Sequence, residues 1–143
     1  MIDMLKSESE KLLHNARVGR LSMVDPDGRP YVIPLRFLWT DKTVYVRLAP
    51  CGRKQDAIER SNHVCFETDE VRPDFSEYAS VVIEGRIEDV SDEEEKKRAL
   101  VAMNDKYARL CQLPTPGPNP VTKGVAIRKI VIEKLSGRKR EPD

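Results

Sequence analysis

Thr43–Lys54 reads TVYVRLAPCGRK, a strand that hands over to a helix through a glycine. Thr43 to Leu48 alternates and is rich in β-branched and aromatic residues, the pattern of a strand. Gln55 to Arg60 has the spacing of a short helix, with Ala57 and Ile58 available to pack inward. Gly52 permits a tight turn between them, with a backbone geometry that other residues resist. Arg53 and Lys54 therefore fall in or just before the first helical turn. The helix dipole is positive at that end, so two cations there make sense if an anion sits between them. Phosphate is the commonest candidate. An isolated GRK reads at least as well as a pair of solvated surface charges, and the surroundings must shift that balance.

Toward the N-terminus, Val18 to Val24 is a strand. Asp25-Pro26-Asp27-Gly28 then carries turn chemistry, because Pro fixes one dihedral and Gly accepts a positive one. Pro30 to Trp39 (PYVIPLRFLW) reads as a single second strand closing a hairpin with the first. Pro34 lies inside it and cannot donate to a sheet ladder, so this strand belongs at an edge or a bulge. Its neighbouring polar groups are then free for a ligand; alternatively the proline simply protects an edge from aggregation. Asp3 to Asn15 is an amphipathic helix carrying Met4, Leu5, Leu12 and Leu13.

Toward the C-terminus, His63 to Thr68 is a fourth strand and Ala79 to Val90 a long fifth, with Gly85 marking a bend or bulge. Ser91 with Glu94 fits a capping box opening a helix. In that helix Leu100, Met103, Tyr107 and Leu110 form a core-facing stripe. Leu113 to Pro120 (LPTPGPNP) is an irregular loop. Gly124 to Leu135 is the last strand, and the polar tail from Ser136 is expected to fray. Six strands joined mostly by tight turns, with inserted helices, give a mainly β fold: a small antiparallel barrel.

The chain has 143 residues and a mass of 16.3 kDa, which suits one domain over residues 1–143. Charged residues are 34% of the total but the net charge is only +1, so no global field favours nucleic acid or membrane. Cys51, Cys65 and Cys111 form no CxxC, which points to a reducing setting, and no apolar run has membrane-spanning length. A cytoplasmic protein is expected. His14 and His63 lie in no metal-ligand or Ser-His-Asp spacing, and no metal site is expected. Tyr31, Trp39 and Tyr45 read as packing residues, one of which could stack on a ligand.

Six segments in order now form a recognisable series: GRL (19–21), DGRPYVIPLRF (27–37), VYVRLAPCGRK (44–54), NHVCFE (62–67), YASVVIEGRIEDV (78–90) and IEKLSGRK (132–139). The series resembles the pyridoxamine 5'-phosphate-oxidase-like family of FMN-binding split barrels, and within it the nitroimidazole-reductase-like branch. The resemblance implies a six-stranded antiparallel split barrel and a homodimer with FMN at the subunit interface. It places the FMN phosphate at Gly52, Arg53 and Lys54. It runs Ile33, Pro34, Leu35, Arg36 and Phe37 along the flavin ring, with Arg47, Leu48 and Ala49 continuing the ring and ribityl contacts. It lets Ser80 reach the flavin from the partner subunit. Relatives in that branch often carry a histidine where Arg47 stands, and a guanidinium cannot replace it as a general base.

The function implied is an FMN-dependent oxidoreductase taking electrons from a visiting NADH or NADPH and passing them to a small-molecule acceptor. No GxGxxG holds a resident nicotinamide nucleotide. The alternatives are a flavin carrier or sensor without turnover, or a haem- or deazaflavin-binding relative of the same fold. A nucleic-acid-binding barrel is disfavoured by the balanced charge.

Overall fold

Alternating β-branched and aromatic residues make strands the commonest element of this chain, and the computed structural model describes residues 1–142. The elements are β1 (Ile2–Asp3), α1 (Lys6–Asn15), β2 (Gly19–Val24), β3 (Pro30–Leu35), β4 (Phe37–Thr40), β5 (Thr43–Arg47), α2 (Gly52–Arg60), β6 (His63–Val71), β7 (Tyr78–Asp89), α3 (Glu93–Leu110) and β8 (Ile127–Arg140). Among the described residues the strands form one 8-stranded sheet in the order β3-β2-β6-β7-β8-β5-β4, with β1 attached to β8. Every pairing is antiparallel.

β3 and β4 follow one another in the chain yet stand at opposite ends of that order. The strand expected over Pro30–Trp39 is therefore two strands, interrupted at Arg36, where the chain passes from one sheet margin to the other. That passage curls the sheet into a split barrel, with eight strands in place of the expected six. The interruption has a physical cause in α3. The Phe37 amide donates to the Tyr107 hydroxyl at 3.0 Å, and Lys106 Nζ donates to the Phe37 carbonyl at 2.9 Å. Side chains thus take over the backbone bonds that a neighbouring strand would otherwise make.

The barrel interior is filled from alternate positions of every long strand, as a two-residue period requires. Leu21, Phe37, Val44, Val46, Phe66, Val81, Ile83 and Ile130 are fully shielded from solvent. Phe37 and Phe66 meet edge to face, their centroids 4.9 Å apart. Leu12 and Leu13 of α1 join this core. Outside the barrel α3 covers β4 and β5, where Leu38, Tyr45, Ala99, Leu100, Met103 and Ile127 form a second cluster. β5 is consequently buried on both faces.

Gly85 does mark a bulge: the β7–β8 register shifts between Glu84 and Gly85, and a Cβ there would lie 2.2 Å from the Val131 carbonyl. Other boundaries move. α2 starts at Gly52 and takes Arg53 and Lys54 into its first turn. α3 is capped one residue later than expected, by Asp92, whose carboxylate accepts from the Glu95 amide at 3.0 Å.

The largest correction concerns the tail. Residues 136–140 extend β8 instead of fraying, paired with the start of β7 and with β1. Lys139 points to the α1 side and binds Glu8 at 2.6 Å and Glu141 at 3.0 Å. Backbone pairing and these ion pairs hold a strand that has no apolar alternation to announce it. Among the described residues no helix is long and apolar enough to cross a membrane.

Candidate functional site

The turn after β5 is built so that α2 begins with free donors. The Leu48 amide donates to the Ala126 carbonyl at 3.1 Å and fixes the strand end. The Cys51 amide donates to the Ala49 carbonyl at 2.9 Å, and Gly52 then adopts φ +77°. No side chain caps the helix at Cys51, and its first turn holds no acidic residue. Its first amides are therefore left without helical acceptors, at the positive end of the dipole.

Arg53 is held in place there by two groups. Its Nη2 and Nε donate to Asp25 Oδ2 at 2.8 and 3.2 Å, and its guanidinium lies 4.1 Å above the ring centroid of Tyr31. Asp25 is itself fixed, because Oδ1 accepts from the Asp27 and Arg29 amides at 3.0 and 2.9 Å. The Arg29 backbone bond first, then Arg53, keeps the Asp25 carboxyl below the usual carboxylate range. Half of the Arg53 side chain remains exposed. Lys54, half-buried beside it, makes no side-chain ion pair or hydrogen bond among the described residues.

A buried cation contacts α2 at Gln55, whose Nε2 donates to Glu59 Oε1 at 3.1 Å one turn further along the helix. Arg128 of β8 pairs with Val46 of β5, so the two share the barrel's inner face. Arg128 is only 3% exposed, and its Nη2 donates to Gln55 Oε1 in the first turns of α2. Asp89 Oδ1 lies 3.3 Å from Nε, within ion-pair reach but off the N–H direction, so Nε has no hydrogen-bond acceptor.

The ring-side residues divide by face. Ile33 and Leu35 turn inward and pack on the core, while Pro34 is exposed. β3 is a sheet margin, as its proline requires. Arg36 is exposed at the crossing, with its guanidinium 5.0 Å from the Tyr107 ring centroid. Phe37 and Leu48 are buried core side chains, 0% and 4% exposed, and both Phe37 backbone groups and the Leu48 amide are already bonded within the chain. Ala49 is exposed at the strand end. Arg47 is exposed on the same outer face as Tyr45, but beyond the cover of α3, so it stands as a solvated cation. Ser80 lies elsewhere: on the sheet's outer face its hydroxyl donates to Glu67 Oε2 at 3.3 Å, beside the Arg20 ion pairs. The chain therefore gathers Ala49, Gly52, Arg53 and Lys54 into a corner and sets β3 as a free margin, while Ser80 faces outward.

Several residues of this region were not anticipated. Asp25 carries turn chemistry in the sequence and Tyr31 reads as packing or as a surface for stacking on a ligand, yet in the fold they orient Arg53. Lys106 is 5% exposed and has no carboxylate partner among the described residues; its Nζ sits 3.6 Å from the Phe37 ring centroid. Burial, followed by the Arg109 charge, pulls its pKa down to about 7. The signal was available, because position 106 falls three residues after Met103 on the stripe that faces the core. Arg128 gave a comparable signal as a charge inside an apolar alternation. A groove of about 520 Å³ between α1, β4 and β8, lined by Met4, Trp39, Ile132 and Leu135, contains none of the anticipated residues.

The pyridoxamine 5'-phosphate oxidase family model matches residues 6–139, and the chain belongs to that family. No curated protein matches. Among solved structures, the chain is similar to a candidate 5-nitroimidazole antibiotic resistance protein from Bacteroides thetaiotaomicron, with TM-score 0.79 and 23% identity over 96% of this chain and 86% of that one. It is similar to a FAD-binding protein from Mesorhizobium loti, with TM-score 0.75 and 27% identity over 98% of both chains. An F420 reductase aligns with TM-score 0.63 and 23% identity, over 89% of this chain and 94% of that one.

Proposed function

We propose that this chain is an FMN-dependent oxidoreductase acting as a homodimer, with the cofactor held between two copies. The observation that carries the reading is the α2 corner. Uncapped amides, an oriented and half-exposed Arg53 and a Lys54 that is unpaired among the described residues lie together at the start of one helix. These groups fit the acceptor oxygens of a phosphate monoester. Family membership and whole-chain likeness to a FAD-binding protein support a flavin as the rest of the molecule.

The chain's own contributions follow from where its residues stand. Tyr31 and Asp25 hold Arg53 ready, so anchoring a phosphate requires little further ordering of that side chain. The free margin of β3 around Pro34 offers backbone groups to the polar edge of a flat ring, with Arg36 at its end. Ser80, on the outer face, would reach a site completed by a second copy. A bound FMN would supply the two-electron chemistry, between a visiting NADH or NADPH and a small-molecule acceptor.

Fluorescence titration with FMN and with riboflavin tests the reading. Arg53→Ala should weaken FMN about tenfold or more, since a charge-assisted contact is worth roughly 1.5–3 kcal/mol. Riboflavin binding should change by less than about twofold, because it lacks the phosphate. Equal losses for both ligands would remove the phosphate from this corner.

A further inference from the structure

The inner face of the sheet is not covered to its end. Phe37 of β4 and Ile130 of β8 are fully shielded, but Trp39, Ile132 and Leu135 further along the same strands pack on that core and stay only partly buried. With Met4 they line the groove of about 520 Å³ between α1, β4 and β8. A volume of that size suits a small molecule. The α2 corner lies at the other end of β5: Trp39 pairs with Val44 near its start, whereas Gly52 follows its finish. The groove is thus a second place, apart from the phosphate corner.

Its polar groups are unmet. Ser9 of α1 is 2% exposed, yet its hydroxyl makes no hydrogen bond among the described residues. That oxygen stands over Gly137, where an added Cβ would lie 2.3 Å from it, and both residues line the groove. A shielded hydroxyl without a partner is costly, and an acceptor oxygen on a ligand removes that cost. Lys6, three residues before Ser9 on α1, and Lys42 form a cationic rim. Neither makes an ion pair or side-chain hydrogen bond among the described residues. Lys42 is fixed in a two-residue hairpin turn, where Asp41 and Lys42 both take left-handed φ values, +49° and +56°. Glu10 is the one acidic residue of the lining, so the rim carries a net positive charge.

We propose that this groove binds a small amphipathic monocarboxylate. The apolar body lies on Met4, Trp39, Ile132 and Leu135, and the carboxylate meets the lysine rim, with the Ser9 hydroxyl as a further donor. The site does not depend on the assignment of a phosphate to Arg53 and Lys54.

Trp39 is the single tryptophan of the chain, so its emission reports on the groove directly. Decanoate and uncharged 1-decanol, both transparent at that wavelength, are titrated into the full chain with and without excess FMN. Both should give a saturable shift of the Trp39 emission, unchanged by FMN, and salt should weaken decanoate alone. Lys6→Ala and Lys42→Ala combined should weaken decanoate about fivefold and decanol by less than about twofold, as expected of exposed charges. Glu10→Gln should strengthen decanoate about twofold. Leu135→Gln should weaken both probes about tenfold by removing apolar floor; should it fail to fold, the exposed rim variants decide. The proposal is overturned by the absence of a saturable shift, by displacement of decanoate by FMN, or by rim variants that move both probes alike. A dimer that splits on Leu135→Gln while neither probe binds would also overturn it, because the groove would then be a contact between copies.

Discussion

The guanidinium of Arg53 lies 4.1 Å above the ring of Tyr31 while its Nη2 binds Asp25 at 2.8 Å. The stack and the ion pair set the side chain before any ligand arrives. Tyr31→Leu should therefore weaken FMN about threefold, in keeping with roughly 0.5–1 kcal/mol for a half-exposed cation–π contact. Riboflavin binding should hold. Arg53→Lys should lose more than Tyr31→Leu, because an ammonium has neither the fork nor the planar face. Matched titrations of the three proteins check the order.

Lys106 makes the fold pH-dependent with a definite sign. Its folded pKa is about 7 against an ordinary 10.5, so between these values the unfolded chain binds the extra proton. Stability from this group is complete above the unfolded pKa and is lost as pH falls through about 7. Urea unfolding should show stability rising from pH 7 to 9, by up to about 1.4 kcal/mol per pH unit. Lys106→Met should flatten that rise. Parallel pH curves for the two proteins would mean that the carbonyl and ring of Phe37 keep the amine charged.

Two glycines should respond differently to alanine. At Gly85 a Cβ would meet backbone, 2.2 Å from the Val131 carbonyl, so Gly85→Ala must displace the β7–β8 ladder. At Gly52 nothing lies within 4 Å, and only the φ of +77° resists a side chain. Gly52→Ala should cost about 1–2 kcal/mol, and Gly85→Ala more. Thermal unfolding of both variants would show the ranking.

The proposed homodimer can be measured directly. Sedimentation at micromolar concentration should give about twice the 16.3 kDa chain mass. Ser80 faces away from the α2 corner, so Ser80→Ala should weaken FMN only where a second copy completes the site. A monomer that binds FMN tightly would sink the shared arrangement.

How far the sequence could be read follows from what each residue advertises. Strands with an apolar period, such as Val18–Val24 and Thr43–Leu48, were legible because one face must be buried. Gly85 and Pro34 announced a bulge and a margin for the same kind of reason: each forbids the ordinary ladder. The break at Arg36 was not legible, since nothing local marks it. It is made by Lys106 and Tyr107, some seventy residues on, binding both backbone groups of Phe37. The last turn of strand in 136–140 was hidden because pairing and the Lys139–Glu8 contact hold it without an apolar face. At the site, local signals placed Gly52, Arg53 and Lys54. The partners Asp25 and Tyr31 come from the β2–β3 hairpin, more than twenty residues away, and needed the fold.

The most direct test is the visible spectrum of the protein reconstituted with FMN, recorded anaerobically before and after addition of NADH or NADPH. The expected result is a bound oxidised-flavin spectrum that bleaches on addition of one or both nucleotides. Failure to bind FMN, a haem or deazaflavin spectrum in the purified protein, or a bound flavin that stays oxidised under excess nucleotide would contradict an FMN-dependent oxidoreductase.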